Sequence, residues 1–303
     1  MGSENGLRWW HPRYDMLATR RRRLTSFFFL YLTEGIPNGF ALVALVTQMR
    51  RQGVAPADIG VFAAAFGLPW AFKWVMGPAV DLFYSDRLGR RRLWIVAMQL
   101  GMCVTLLAAI PFDFATRIKA LSWLIVLHNV FAATQDVAID ALACGTLEEH
   151  ERGTANGLMF AGSYAGAAVG GSGVLFLLGL GVPLHATYYF VIGAVLAVTL
   201  LVALRLREPA REETPAVGAT WRSLVLALRA YCKEACGAFF GTRAAAVGLA
   251  VALLPMGAYA LSLALTNNLA VELGMSDTFI AKLTLACTLI TALACVLGGY
   301  LSD

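Results

Sequence analysis

Gly77-Pro78-Ala79-Val80-Asp81-Leu82-Phe83-Tyr84-Ser85-Asp86-Arg87-Leu88-Gly89-Arg90-Arg91-Arg92 is a short arginine-rich turn between two apolar runs, residues 59–80 and 93–110. Each run is about as long as the roughly 20 helical residues that cross a bilayer core. A basic turn between two such runs reads as the loop of a membrane-helix pair. Its opening, G-x-x-x-D, returns as Gly299-Tyr300-Leu301-Ser302-Asp303. A turn that recurs between paired apolar helices predicts a duplicated membrane bundle.

The whole chain agrees with that reading. It is 59% hydrophobic and 14% charged, with a mean hydropathy of +0.68, whereas soluble domains carry about 25% charged residues. A large soluble protein with buried core helices would need a polar outer shell, and no segment supplies one. The net charge of +5 does not point to nucleic acid, because Arg20 to Arg23 abut one apolar run and Arg87 to Arg92 lie between two. Such placement suits the anionic inner leaflet of a membrane. The six cysteines lack the spacing of a disulfide frame or a zinc site and read as small packing residues.

Residues 1–23 form a basic arm, and the first apolar run is long enough to be a span rather than a cleavable leader. Six spans are expected at 24–48, 59–80, 93–110, 121–146, 155–180 and 187–206. Within the first, Thr33-Glu34-Gly35-Ile36-Pro37-Asn38-Gly39 predicts a kink that leaves backbone groups open. In the fifth, Gly162, Gly166 and Gly170 form a stripe that lets another backbone approach closely. Residues 207–242 read as a polar linker followed by an amphipathic surface helix, and residues 243–303 as the start of a second bundle with two spans. With the amino terminus inside, eighteen of the 24 Lys and Arg fall on inside segments and four on outside loops. That bias predicts a cytoplasmic amino terminus, turn and linker. Residues 53–81 and 274–303 align as two copies, so the second copy is expected to continue for about four further spans.

Ionisable groups inside spans are costly and read as functional. At 1.5 Å per residue, Glu34 lies roughly 15 Å, Lys73 about 10 Å and Asp136 about 12 Å from the inner ends of their spans. Lys73 paired with Glu34 or Asp136 would relieve the burial, either as a static structural bond or as a pair that opens to a proton or substrate. Asp140, one turn beyond Asp136, is expected to act with Asp81 and the arginines of the turn as a conformational lock. Gln135 and Asn38 suit either a polar substrate or helix-to-helix hydrogen bonds, and His128 suits packing. The motifs H-E-x-x-H, G-x-S-x-G and a phosphate-cradling glycine loop are missing. Asp136 and Asp140 share one helix, whereas an intramembrane aspartyl centre needs two. No enzymatic activity, metal or cofactor is expected.

Gly77-x-x-x-Asp81 and then Asp86-Arg87-x-Gly89-Arg90-Arg91, with four residues inserted, resemble the G-x-x-x-D-R-x-G-R-R signature of the major facilitator superfamily. Thr33 to Pro37, Gly67-Leu68-Pro69, Phe72-Lys73-Trp74, residues 133–141 and the E-R-G that ends at Gly153 narrow the resemblance. Together they are similar to the branch that holds AmpG-type muropeptide permeases and acetyl-CoA transporters. Tyr164 stands where that branch tends to carry an arginine, and Thr284-Leu285 where it tends to carry an N-K pair. The resemblance implies an all-α membrane bundle of two parallel six-span halves. It also implies secondary transport by alternating access as a monomer in the bacterial inner membrane, driven by a coupling proton. Gly77, Asp81, Asp86, Arg87, Gly89, Arg90, Arg91 and Asp140 would gate it, and Glu34, Lys73, Asp136, Gln135, Asn38 and Tyr164 would handle proton or substrate. Muropeptides are the first substrate class, with acyl-CoA-like nucleotides or siderophores next. A non-transporting membrane receptor or scaffold is the alternative of a different class.

Overall fold

In a computed structural model the structure describes residues 15–83, 88–208, 221–248, 250 and 277–303. These are helical, with no strand among the described residues. Backbone polar groups in lipid must be satisfied within the segment, which leaves helices as the way for such apolar runs to cross. We number the helices α1 (Arg20–Arg51), α2 (Pro56–Leu82), α3 (Arg90–Ala109), α4 (Phe114–Thr146), α5 (Glu149–Gly179), α6 (Leu184–Arg205), α7 (Trp221–Phe240) and α8 (Asp277–Ser302). Six helical stretches among the described residues are long and apolar enough to cross a membrane: α1, α2, α3, α5, α6 and Leu285–Ser302 of α8. The 33-residue α4 falls outside that set; His128, Asn129, Gln135, Asp136 and Asp140 lower its hydropathy.

The chain divides into two compact units, residues 1–210 with 285–303, and residues 211–284. The second contains α7, over the stretch expected to be amphipathic. The expected span at 244–269 lies largely outside the described residues, as do Asp86 and Arg87 of the turn.

In the first unit α1 packs along α5, α4 packs against both α2 and α3, and α6 packs against α3 and α1. The glycine stripe of α5 explains the first pairing. A Cβ on Gly166 would lie 2.5 Å from the Leu32 carbonyl oxygen, and one on Gly170 1.9 Å from that of Ile36. The backbones are in contact, so no side chain fits between them. Pro37 does not break α1. The helix runs through it and widens to a π-helix over Phe40–Leu45, just beyond the proline.

The buried apolar residues fall into two clusters. One holds Phe40, Leu45, Phe62, Phe66, Leu106 and Val191; the other, toward the Gly89 turn, holds Phe27, Leu30, Val80, Ile95, Ile139 and Leu206. On α1, α3 and α4 the sequence between the clusters is where the polar residues sit. Exposed Val61, Leu68, Trp74, Val104, Trp123 and Phe176 clothe the outside, as expected of a surface that meets lipid rather than water.

Candidate functional site

Between the two clusters, α1 carries Thr33 and Glu34, and α4 carries Gln135 and Asp136. Consecutive helical residues lie about 100° apart around the axis, so the members of each pair meet different neighbours. Thr33 and Gln135 enter a neutral network. Gln135 Nε2 donates to Thr33 Oγ1 at 3.1 Å and Gln99 Nε2 of α3 does so at 3.2 Å. The Thr33 hydroxyl donates to the Leu30 carbonyl at 2.6 Å, and Thr199 of α6 donates to Gln99 Oε1 at 2.8 Å. Thr33, Gln99 and Gln135 are fully buried, so four helices are joined by bonds shielded from solvent. Gln135 Oε1 is sealed without a partner.

Glu34 and Asp136 enter a charged cluster. Pro78 in α2 cannot bond the Trp74 carbonyl one turn back, and just there the helix tightens to a 3-10 turn over Lys73–Val75. A mid-helix 3-10 turn is a common site of a hinge. It presents Lys73 to α4, where Nζ pairs with Asp136 Oδ2 and lies 3.8 Å from Asp140 Oδ2. Tyr31 of α1 donates to Asp140 Oδ1 at 2.6 Å. Glu34 lies near enough to Asp136 for the two carboxyl groups to interact, while its Oε1 is buried without a partner. The Asp136 side chain is 4% exposed, but those of Lys73 and Asp140 are 42% and 44% exposed, so the cluster is open on one side.

Of the two partners expected for Lys73, the structure joins it to Asp136, with Glu34 in the same cluster but not bonded to the ammonium. Asp140 joins the same cluster, while Asp81 stays in the turn. There Asp81 pairs with Arg91, whose Nη1 also donates to the Val80 carbonyl at 2.7 Å; Arg90 donates to the Asp81 carbonyl at 2.8 Å. The arginines that start α3 thus satisfy the carbonyls that end α2. Gly89 has φ +87°, a conformation open to glycine. Gly77 lies within α2, one turn before Asp81. Asn38, one turn beyond Glu34, and Tyr164 of α5 are half-buried.

Sequence reasoning missed Tyr31, Gln99, Thr199 and Glu208. Tyr31 had a signal, because it stands three residues before Glu34 and so shares its face. Gln99 stood as an isolated polar residue in an apolar run. Glu208 accepts from the backbone N–H of Arg91 at 2.7 Å and of Arg92 at 2.8 Å. Those bonds close across 117 and 116 residues and have no local signature.

A sequence model of the Major Facilitator Superfamily matches residues 25–303. An uncharacterised membrane protein of Saccharomyces cerevisiae is 30% identical over 166 residues, which cover 46% of this chain and 29% of that protein. AmpG 4 of Rickettsia conorii, named as a transporter, is 25% identical over 210 residues, 67% of this chain and 50% of its own. The anhydromuropeptide permease of Escherichia coli K12 is 26% identical over 239 residues, 78% of this chain and 46% of its own. The chain spans half or less of the length of these relatives.

Proposed function

Because the chain belongs to the Major Facilitator Superfamily, we propose that it serves as a secondary active transporter that works by alternating access and couples transport to protons. The observation that carries the coupling is the cluster around Asp136: three carboxyl groups, Glu34, Asp136 and Asp140, face one ammonium, Lys73. Two neighbouring carboxyl groups can share a hydrogen bond only when one of them holds a proton. A proton shared by Glu34 and Asp136 brings the cluster from a net charge of −2 to −1, and its departure strengthens the hold of Asp136 on Lys73. The 3-10 turn that bears Lys73 is the element such a change would move.

Muropeptides are the first substrate class, supported by the name of the Escherichia coli relative. The turn, with Asp81, Asp86, Arg87, Gly89, Arg90 and Arg91, governs alternation on the cytoplasmic side. The test is uptake of labelled anhydromuropeptide into vesicles carrying the protein, with and without an inward proton gradient. Asp136→Asn should abolish gradient-driven uptake and leave membrane insertion intact; unchanged pH-dependent uptake in that variant would refute the coupling. Uptake of an acyl-CoA ester or a siderophore in place of the muropeptide would keep the coupling and reassign the cargo.

A further inference from the structure

On the side of the polar layer away from the Gly89 turn, a cavity opens between α1, α3, α4 and α6. Its lining includes Pro37, Ala41, Thr105, Leu121, His128 and Tyr188. Most of it is apolar, yet it contains a histidine that is 2% exposed. His128 Nδ1 lies 2.9 Å from Thr105 Oγ1. The threonine hydroxyl has one proton, and the Met102 carbonyl takes it at 2.8 Å. Thr105 is therefore the acceptor, and Nδ1 is the protonated nitrogen, an assignment that follows from the bonding pattern.

The opposite nitrogen is the unexplained one. No carboxylate lines the cavity to offset a charged ring, so the ring is neutral and Nε2 is a bare acceptor. Nε2 is buried and no protein group reaches it. A buried acceptor without a donor is costly, and such groups are normally met by ordered water. The cavity leaves about 20 Å³ open to the centre of a water-sized sphere, above the roughly 10–15 Å³ that one water needs. Tyr188, itself 2% exposed, and the second lone pair of Thr105 Oγ1 supply further polar partners in the lining.

We propose that this cavity is a binding site for a water-sized hydrogen-bond donor, water itself, held by His128 Nε2. It lies beside Pro37, one helical turn along α1 from Glu34. The water satisfies the Nε2 acceptor and fills the space where the π-helical segment of α1 would otherwise face a void. It is separate from the Lys73 cluster, and its occupancy does not depend on what the protein carries.

Two measurements on the protein in lipid vesicles test this. In the first, ¹⁵N-histidine NMR should show for His128 a protonated Nδ1 and an unprotonated, hydrogen-bonded Nε2, with magnetisation passing from water to the ring. A protonated Nε2, or no transfer from water, would overturn the site. The chain has four histidines, and replacing His11, His150 and His185 isolates the signal without touching the cavity. In the second, Ala41→Val fills part of the space. Expulsion of the water should lower the thermal midpoint by about 2–6 °C in the parent protein, but not in a His128→Leu background, where no acceptor is left to orphan. A dry cavity predicts a rise in both backgrounds, and simple overcrowding a fall in both; either pattern refutes the proposal.

Discussion

Thr33 and Glu34 are neighbours in the chain, as are Gln135 and Asp136, yet each pair is divided between two different environments. The first members share the closed network with Gln99 and Thr199, where every helix contributes a neutral group and burial is complete. The second members share the half-open cluster with Lys73, Asp140 and Tyr31. Depth in the bundle is the same, and α1 and α4 serve both. What differs is charge and access. A neutral buried network, even with one acceptor left over at Gln135 Oε1, has no charge to exchange and stays put, whereas a cluster with more carboxyl groups than cations and an open side has a state for a proton to change. The closed set holds α1, α3, α4 and α6 together; the open set is the part built to alter.

The sharpest way to break this division is to unbalance the open set. Lys73→Met leaves Asp136, 4% exposed, without its cation. Loss of one partner of a buried pair costs about 3–5 kcal/mol, and the half-exposed lysine puts this one near about 3 kcal/mol. Removing both charges with Lys73→Met and Asp136→Leu should recover most of that stability, measured by denaturant titration in micelles, yet transport should stay lost. A double variant that still moves substrate would show the cluster to be structural.

The closed set predicts the reverse pattern and its own internal order. Thr33→Val keeps shape but strands the Nε2 groups of both Gln99 and Gln135, at about 1–3 kcal/mol each. Gln99→Leu strands nothing, since Thr199 retains the Val195 carbonyl at 2.9 Å and Thr33 retains Gln135. It should cost about 1 kcal/mol or less. Both variants should transport at normal rates per folded molecule. Equal losses in the two would mean that the network does not converge on Thr33.

The same contrast explains how far the sequence could be read. Apolar runs of span length are a one-dimensional signal, and all six expected spans before residue 207 coincide with helices. The ionisable residues stood out because lipid-spanning runs rarely carry them. Which groups meet is a three-dimensional matter. The stripe at Gly162, Gly166 and Gly170 announced a close neighbour without naming α1, whose Gly35 and Gly39 complete the seam. The break of α2 at Lys73 arises one turn before Pro78, where the effect of the proline falls rather than at the proline itself. Neutral Gln99 and Thr199 raise no alarm in a span, so the network that ties four helices was the least legible part.

The smallest expected effect concerns an acidic residue that has neither kind of partner. Asp303 closes the second G-x-x-x-D and accepts from the backbone N–H groups of Gly153 and Thr154, both at 2.7 Å. These are first-turn donors of the α-helical part of α5, which begins at Arg152, and have no acceptor in their own helix, at the end where the helix dipole favours an anion. The nearby Thr154 hydroxyl, the two N–H groups and the charge of Arg20 hold the Asp303 carboxyl below the usual carboxylate range. A lowered value means that the contact is fully present above the ordinary aspartate pKa of about 3.9 and is lost as pH falls through the lowered one. Hydrogen exchange at Gly153 and Thr154, corrected for intrinsic rates, should be level from neutral pH down to about pH 4 and quicken below it. Asp303→Asn should exchange faster at neutral pH and lose that acid dependence. Because Asp303 is exposed and its partners are backbone groups, neither change should reach Lys73 or Thr33. A shift in transport or in overall stability on Asp303→Asn would show that the end of the bundle and its polar middle respond as one.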